Sequence, residues 1–197
     1  MPPTTRAEAT SSTPSNGVSI LFVCLGNICR SPMAEAHFRH LTSFSTTFPH
    51  PLISKIDSCG TGAYHLSAPP DPRTLSVLAA HNIHSYTHLA RKIRVPQDFK
   101  EFDYVLAMDE ENVADLEAMV ERAVKKGGLR REEVEGKVRL YGSFGGKGRE
   151  EVGDPYYGGG EGFEVAWEQM GRFARGLVWD IEGRGKGERG EEQEGGG

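Results

Sequence analysis

Short runs with strand character, the first of them nearly unbroken in its apolar residues, alternate with longer amphipathic stretches along most of the chain. The first apolar run extends from Val18 to Val23, and further runs with strand character cover Leu52–Asp57, Tyr104–Met108 and Lys137–Tyr141. Strands that are apolar at consecutive positions are typical of a parallel sheet covered on both faces. The pattern therefore predicts four parallel strands in one central sheet.

Stretches with apolar residues at spacings of three and four lie between these runs and predict helices. They extend from Pro32 to about Leu41, from Asp71-Pro72 onward, from Asp109 to about Lys125 and from about Glu161 to Ile181. The second helix is expected to bury Leu75, Leu78 and Ala79. The last helix carries one wide apolar face made of Phe163, Ala166, Trp167, Met170, Phe173, Ala174, Leu177, Val178 and Ile181. Strands alternating with helices predict an α/β fold, a single Rossmann-like or flavodoxin-like domain with helices on both faces of the sheet.

Both ends of the chain lack this pattern. Residues 1–16 are rich in Pro, Ser and Thr, and residues 183–197 are mostly Gly, Glu and Arg. Neither segment can bury enough apolar surface to offset the entropy of ordering, so both are predicted to be disordered tails around a folded domain of residues 17–182. A transit peptide is disfavoured because Arg6 is the only basic residue of the first segment. The glycine-rich, charged segment Ser143–Gly153 is predicted to be a mobile surface loop.

Composition narrows the classes of function. A net charge of −5 offers no electrostatic attraction for nucleic acid. No apolar stretch approaches the ~18 residues of a membrane span. The three cysteines of this chain are too few for a disulfide framework and indicate a reducing compartment. We therefore expect a cytoplasmic enzyme that binds neither nucleic acid nor membrane.

The candidate chemistry lies where the first strand meets the first helix. The connecting segment reads Cys24-Leu25-Gly26-Asn27-Ile28-Cys29-Arg30-Ser31-Pro32. Gly26 and Asn27 are residue types that tolerate positive φ, so the loop can turn its amides toward one point. Backbone amides above a helix N-terminus form a site for an anion such as phosphate.

Three side chains can turn this anion site into an active site. Arg30 offers a planar pair of donors for two phosphate oxygens. Cys24 lies in electropositive surroundings, which favour its thiolate over the thiol. Ser31 can donate a hydrogen bond to that sulfur. The alternative, that Cys24 is a small buried hydrophobe, is disfavoured because a strand precedes it and a Ser-Pro helix start follows.

The segment Cys24–Pro32 resembles the phosphate loop of the low-molecular-weight protein tyrosine phosphatases. The sequence Asp154-Pro155-Tyr156-Tyr157 resembles the acid loop of the same family. Further similar segments are Pro70–Arg73, Thr87–Arg91 and Phe102–Asp109. The resemblance extends over roughly Val18 to Ile181.

This resemblance implies a protein-tyrosine phosphatase that hydrolyses phosphotyrosine and small aryl phosphates through a phosphocysteine intermediate, with acid phosphatase activity. Cys24 would be the nucleophile. Arg30 would bind the phosphate, and Asp154 would act as general acid and then general base. The resemblance and the loop chemistry together assign substrate binding to Leu25, Gly26, Asn27, Ile28, Cys29, Ser31, Tyr64, His88, Tyr156 and Tyr157. His88 is expected to hydrogen-bond the phosphate loop through Asn27 and Ser31.

No cofactor or metal is expected. His81, His84 and His88 are close in sequence but lack the helical spacing of a ligand set. The partners expected are a phosphotyrosine protein or aryl phosphate as substrate and inorganic phosphate as product and inhibitor. The enzyme is expected to be a monomer.

Aromatic residues favour phosphotyrosine as the substrate. Tyr64, Tyr156 and Tyr157 can wall a cleft deep enough for a phenyl ring, which disfavours the shorter phosphoserine. Members of the family that act on phosphoarginine tend to carry threonine at the position of Ile28. An arginine phosphatase or an arsenate reductase on the same loop remains the nearest alternative, although Asp154 and the double tyrosine argue against arsenate reduction.

Two further alternatives are less favoured. A non-catalytic phosphoprotein-binding module would lack the thiol or the acid, and a nucleotide-binding domain would carry a Walker or dinucleotide motif. Cys59 is interpreted as a buried core residue. Cys29 either packs in the core or acts as a resolving thiol that traps an oxidised, redox-sensitive Cys24 as a disulfide. Phosphorylation of Tyr156 or Tyr157 is a hypothesis for control, which peptide mass mapping tests.

Overall fold

Four parallel strands form the centre of the protein, as the apolar runs predict. The structure, a computed structural model, describes residues 17–44, 46 and 49–194. The strands are β1 (Val18–Cys24), β2 (Ile53–Gly60), β3 (Tyr104–Ala107) and β4 (Val138–Leu140). Their order in the sheet is β2-β1-β3-β4, and every neighbouring pair is parallel. The order reverses at β1, which places its carboxyl end at the position where parallel sheets bind ligands.

Helices connect the strands. They are α1 (Arg30–Leu41), α2 (Pro72–Ala80), α3 (Gln97–Glu101), α4 (Glu110–Lys125) and α5 (Glu161–Glu194), with 3-10 turns at Arg131–Glu133 and Tyr141–Gly145. The short α3 and the two 3-10 turns are absent from the prediction because elements of this length show no amphipathic repeat. None of the described helices combines the length and apolarity needed to cross a membrane.

Side-chain caps begin two of the predicted helices. Asp71 accepts a hydrogen bond from the backbone N–H of Arg73 at 2.8 Å, and Asp109 accepts one from Asn112 at 2.7 Å. These carboxylates satisfy N–H groups that have no partner within the helix. The α1 helix starts at Arg30, slightly before Pro32, so the arginine of the predicted phosphate loop already belongs to the helix.

The alternating side chains of β1 build two cores. Ile20 and Phe22 face α1 and α5, and Leu21 and Val23 face α3 and α4. All four side chains are fully buried. The predicted cover of helices on both faces is therefore confirmed, and β1 is fixed on both sides up to its last residue, Cys24.

The packing of α2 differs from the prediction. Leu78 is buried as expected, but Thr74 and Val77 are the other buried residues of this helix, and Leu75 and Ala79 are only half-buried. The helix packs against α1 and α5 rather than against the sheet, so the buried side is set by its helical neighbours.

The α5 helix extends to Glu194, beyond the predicted end at Ile181. The apolar stripe marks only the part of the helix that packs on the core, and no proline follows to stop the helical backbone. Residues 183–194 are thus helical in the structure, although their composition predicts a disordered tail. The disorder predicted for residues 1–16 and 195–197 lies outside the described residues.

The segment Ser143–Gly153, predicted to be mobile, has defined partners in the structure. Glu150 accepts hydrogen bonds from Gln169 at 3.0 Å and from Arg172 at 2.8 Å, both on α5. The N–H of Val152 donates to the carbonyl of Met108 at 2.8 Å, and Val152 is fully buried. The glycine-rich composition does not reveal these contacts. They fix the backbone just before Asp154.

Candidate active site

The predicted phosphate loop, residues 24–31, curls as its residue types suggest. Asn27 has a φ of 56°, in the left-handed region. Its side chain holds this conformation, because its Nδ2 donates to the hydroxyls of Ser31 and Ser58 at 3.0 Å each. Its Oδ1 accepts from the backbone N–H of Arg91 at 2.9 Å. One buried asparagine therefore ties the loop to β2 and to the segment that follows α2.

The sulfur of Cys24 lies at the base of this loop. The N–H of Asn27 points at Sγ at 3.3 Å, and the hydroxyl oxygen of Ser31 lies 3.1 Å from Sγ. The N-terminus of α1 follows directly, with its positive dipole end. The Asn27 amide and the N-terminus of α1 are thus placed around the sulfur that the sequence predicts to be the nucleophile.

Arg30 lies in the same loop as the sulfur of Cys24, and two acceptors outside the loop bind its guanidinium. Its Nη1 donates to Asp109 Oδ2 at 2.5 Å and to the carbonyl of Val152 at 3.0 Å. The side chain is only 4% exposed. Burial would lower the pKa of Arg30, but the neighbouring Cys24, Asp109 and Asp154 outweigh it and raise the pKa. The guanidinium is thus a fixed positive charge in the wall of the site.

Asp154, in the segment between the 3-10 turn Tyr141–Gly145 and α5, approaches the same guanidinium. Its Oδ2 lies 3.3 Å from Arg30 Nη2, and its side chain is 36% exposed. Its Oδ1 accepts a hydrogen bond from the N–H of Tyr156 at 3.0 Å. We call residues 154–158 the acid loop. Its partly exposed carboxylate lines the same cavity as the phosphate loop.

A cavity of about 580 Å³ joins the two loops. Its lining residues are Cys24, Leu25, Gly26, Ile28, Cys29, Arg30, Tyr64, His65, Asp154, Tyr156 and Tyr157. Tyr64 and Tyr157 are 73% and 90% exposed, so they form the rim, and Tyr156 lies deeper. The rings of Tyr156 and Tyr157 meet edge to face at 5.1 Å. Of the predicted site residues, Asn27, Ser31 and His88 do not line the cavity: Asn27 and Ser31 belong to the phosphate loop, and His88 contacts Asn27.

His88 supports the loop from behind, as the resemblance implies. Its Nε2 lies 2.9 Å from Asn27 Oδ1, and Asn27 in turn donates to Ser31. Its Nδ1 lies 3.4 Å from the buried carboxylate of Glu35. Burial, which outweighs the attraction of Glu35, lowers the pKa of His88. His88 therefore reaches the substrate site only through the side chain of Asn27.

Three residues of the site are absent from the sequence prediction. Asp109 binds Arg30, and His65 lies over Gly26 in the cavity wall. Glu35 accepts hydrogen bonds from Ser58 at 2.7 Å and Tyr86 at 2.9 Å behind the loop. Asp109 had a signal in the sequence, since it follows β3 and the carboxyl ends of parallel strands share one edge. The sequence signal for Glu35 is weak: it is a charged residue between two alanines.

The other two cysteines, Cys29 and Cys59, are buried like Cys24. Burial, followed by the charges of Asp71 and Cys24, raises the pKa of Cys29 to about 12. Burial also raises the pKa of Cys59, which is fully buried as predicted. All three thiols of the chain are free in the structure.

One group of described residues has the composition of a metal site. Possible ligand atoms of Glu35, Asp57 and His88 lie within 4.8 Å of one another. The carboxylate of Asp57, however, is paired with Arg91 at 2.8 Å, and Glu35 is paired with Arg39 at 2.8 Å. Arginine partners supply the charge that a cation would bring, so this donor set fits a hydrogen-bond network better than a metal.

Comparison with known proteins places the chain among phosphatases. The family model for low molecular weight phosphotyrosine protein phosphatase matches residues 19–186. A protein of that name from Schizosaccharomyces pombe is 44% identical over 168 residues, which cover 85% of this chain and 99% of the relative. The human protein of the same name is 38% identical over 81% of this chain and 93% of its own length.

Solved structures agree with this similarity. A protein tyrosine phosphatase from Entamoeba histolytica superposes with a TM-score of 0.71 at 31% identity, over 86% of this chain and 99% of that one. An arginine phosphatase from Drosophila superposes with a TM-score of 0.69 at 32% identity, over 83% of this chain and 97% of that one.

Proposed function

Because the chain belongs to the low molecular weight phosphotyrosine protein phosphatase family, we propose that it hydrolyses phosphotyrosine in proteins and small aryl phosphates. The observation that carries this proposal is the meeting of three groups in one cavity. The sulfur of Cys24 and the guanidinium of Arg30 belong to the phosphate loop, the carboxyl of Asp154 lies 124 residues after Arg30, and all three line the same cavity. They supply the nucleophile, the anion site and the acid that phosphoryl transfer requires.

Binding of the substrate uses the phosphate loop. The phosphate dianion accepts hydrogen bonds from the loop amides and from Arg30, whose other face is held by Asp109. This arrangement is in place before the substrate arrives, so little reorganisation is needed during the reaction. The phenyl ring of the substrate lies between the rim tyrosines, Tyr64 and Tyr157, and the deeper Tyr156.

The reaction proceeds in two steps. In the first, the Cys24 thiolate attacks phosphorus, the bond from phosphorus to the ester oxygen breaks, and protonated Asp154 gives its proton to the leaving phenolate. In the second, the Asp154 carboxylate takes a proton from water, which attacks the phosphocysteine and releases inorganic phosphate with the thiolate restored. Ser31 donates toward the sulfur as it leaves, at the 3.1 Å separation of the free site. Splitting hydrolysis this way replaces one difficult step with two easier ones.

Phosphoarginine hydrolysis is the second candidate, supported by the similarity to the Drosophila arginine phosphatase. Ile28, a residue of the phosphate loop, lines the cavity with an apolar side chain. An apolar wall favours an aryl group over a guanidinium, because a charged group buried there would lack partners. The tyrosine substrate is therefore preferred.

Reversible oxidation of Cys24 is a further part of the proposal. Peroxide would oxidise the Cys24 thiolate to a sulfenic acid, and the Cys29 thiol would then form a disulfide with loss of water. Both cysteines are nearly fully buried in the same loop, and the charge of Cys24 contributes to the raised pKa of Cys29.

Hydrolysis by the parent protein and two variants tests the mechanism. Cys24→Ser should be inactive toward a phosphotyrosine peptide. Asp154→Ala should lose about 10²- to 10⁴-fold with that peptide, the range for loss of a general acid, and far less with an aryl phosphate whose leaving group needs no proton.

Glu121→Ala is the matched control, since this partly exposed glutamate does not line the cavity and pairs with Arg131. Phosphate release by Cys24→Ser at the parent rate would overturn the proposal. Faster hydrolysis of a phosphoarginine peptide than of the phosphotyrosine peptide would favour the second candidate.

A further inference from the structure

We propose that Arg73 is a positioning residue for the reaction, which holds the acid loop, and with it Asp154, against the phosphate loop. This inference rests on the proposed role of Asp154 as the general acid. It assigns to Arg73, which does not line the cavity, a contribution to the protonation of the leaving group.

One side of Arg73 is attached to the phosphate loop through Asp71. The guanidinium donates to both carboxylate oxygens of Asp71, from Nε at 3.0 Å and from Nη2 at 2.9 Å. Asp71 is itself nearly buried, and its backbone N–H donates to the carbonyl of Ile28 at 2.8 Å. A bidentate pair fixes the plane as well as the position of an arginine. The guanidinium is therefore held at a defined place relative to the phosphate loop.

The other side of Arg73 holds the acid loop. Its Nη1 donates to the carbonyls of Tyr156 at 3.1 Å and Gly158 at 3.3 Å. The guanidinium also lies over two aromatic rings, 4.6 Å from the ring centre of Phe163 and 5.5 Å from that of Tyr156. One side chain thus contacts the acid loop through its backbone and through an aromatic ring, and reaches the start of α5.

These contacts bear directly on the carboxyl of Asp154. The N–H of Tyr156 donates to Asp154 Oδ1 at 3.0 Å, so the residue whose carbonyl Arg73 holds also orients the acid. Within this loop only Pro155 is buried, and the other four residues are exposed. A Cβ atom built on Gly153, Gly159 or Gly160 would meet nothing within 4 Å, so glycines in open space lie on both sides of the loop. Beyond the anchor at Val152, the position of the exposed part of the acid loop therefore depends on few contacts, and Arg73 makes several of them.

Loss of Arg73 should therefore reduce the rate through the placement of the acid. A displacement of about 1 Å at a reacting group can cost on the order of 10²-fold in rate. We expect Arg73→Ala to lose about 10- to 100-fold in kcat with a phosphotyrosine peptide, whose leaving group must be protonated. With an aryl phosphate whose leaving group needs no proton, the same variant should stay within about threefold of the parent. A residue with a merely structural role would lower both rates alike.

A double-mutant cycle makes the test specific. Asp154→Ala removes the acid, so adding Arg73→Ala to it should change the peptide rate by less than about twofold, because the two substitutions act on one function. Arg73→Lys keeps the positive charge but has no planar pair of donors, so its rate should lie between those of the parent and Arg73→Ala. If Arg73→Ala fails to fold, Arg73→Lys and its double variant with Asp154→Ala carry the same comparison.

Arg131→Ala serves as the control, because Arg131 is an exposed arginine that pairs with Glu121 away from the cavity. Two failures are distinguishable. If Asp154→Ala itself shows no dependence on the leaving group, the proposed function of Asp154 is wrong. If Asp154→Ala shows it but Arg73→Ala behaves like Arg131→Ala, or loses rate equally with both substrates, or adds fully to Asp154→Ala, the positioning role of Arg73 is wrong.

Discussion

At the residue scale, single buried polar side chains shape the phosphate loop. Asn27 adopts a positive φ of 56°, which costs a non-glycine residue energy, and its side chain offsets that cost with hydrogen bonds to Ser31, Ser58 and Arg91. The asparagine thus supports the loop conformation, while Cys24 and Arg30 carry the proposed chemistry. His88 and Glu35 extend the same network into the interior.

The thiol of Cys29 leads to a prediction at this scale. Because its pKa is raised to about 12, Cys29 carries no thiolate near neutral pH and is a poor nucleophile toward alkylating agents. Iodoacetamide at pH 7 should therefore modify Cys24 and spare Cys29, as read by peptide mass mapping. Labelling of both thiols at equal rates would contradict this expectation.

A second prediction concerns oxidation of Cys24 by peroxide, and it is measured as recovery of activity. In the parent protein, activity lost to a brief peroxide treatment should return after reduction. The neutral Cys29 thiol is a poor nucleophile toward external reagents, but in the proposed mechanism the sulfenic acid of Cys24 forms within the same loop, where a disulfide can form before further oxidation. Cys29→Ser should lose activity irreversibly under the same treatment. Equal recovery in both proteins would show that Cys29 only packs in the loop.

At the element scale, α5 closes one core by approaching the 3-10 turn Tyr141–Gly145 very closely. A Cβ atom on Gly176 would lie 1.8 Å from the carbonyl oxygen of Phe144. The guanidinium of Arg172 donates to the carbonyl of Gly145 at 3.0 Å, one helical turn away. Glycine at this position is required because the backbones of helix and turn are in contact, and the turn leads on to the acid loop.

Replacing this glycine should destabilise the protein. Gly176→Ala should lower the free energy of unfolding by more than about 2 kcal/mol, because the neighbouring atom belongs to the backbone and cannot rotate away. Gly183→Ala on the same helix is the matched control, since nothing lies within 4 Å of its Cβ position. It should be neutral or stabilise the protein by up to about 1 kcal/mol, as alanine is the better helix former. Urea denaturation measures both, and equal stability of the two variants would contradict the close approach.

At the scale of the whole molecule, the helices on one face meet around a histidine and tryptophan cluster. The ring of Trp167 on α5 lies 4.4 Å from His37 on α1 and stacks at 4.3 Å on His81, which follows α2. Among the described residues, the Nδ1 atom of His37 is buried without a hydrogen-bond partner. Burial, followed by the positive neighbours His40, Arg175 and His81, lowers the pKa of His37 to about 4.

This histidine should make global stability depend on pH. An unfolded histidine takes up a proton near pH 6.5, whereas His37 in the folded protein stays neutral down to about pH 4. The unfolded state then binds more protons, so stability should fall as the pH decreases from about 6.5 to 4, by at most about 3 kcal/mol from this residue. His37→Gln cannot take up the proton, and its free energy of unfolding should fall less steeply over this range. Parallel pH profiles in urea denaturation would show that His37 does not contribute.

The sequence alone determines the layered fold and the identity of the chemical groups. The nearly unbroken apolar run Val18–Val23 specifies a strand buried in a parallel sheet, and the alternation of the later strand-like runs with amphipathic stretches specifies the α/β layers. The segment Cys24–Ser31 specifies the phosphate loop for an equally local reason: strand, turn-forming residues and helix start are contiguous. Periodicity, capping residues and loop chemistry act over a few residues, so they can be read in order along the chain.

The tertiary structure alone decides which distant residues complete the site. Asp109 reaches Arg30, Glu35 reaches His88, and Arg73 reaches the acid loop only after the strands have been ordered and α2 and α5 have packed. Contacts between residues far apart in sequence follow from strand order and helix packing, which no local pattern contains. The same reason explains why α2 buries Thr74 and Val77 and why the glycine-rich segment before Asp154 has defined partners: their surroundings come from elsewhere in the chain.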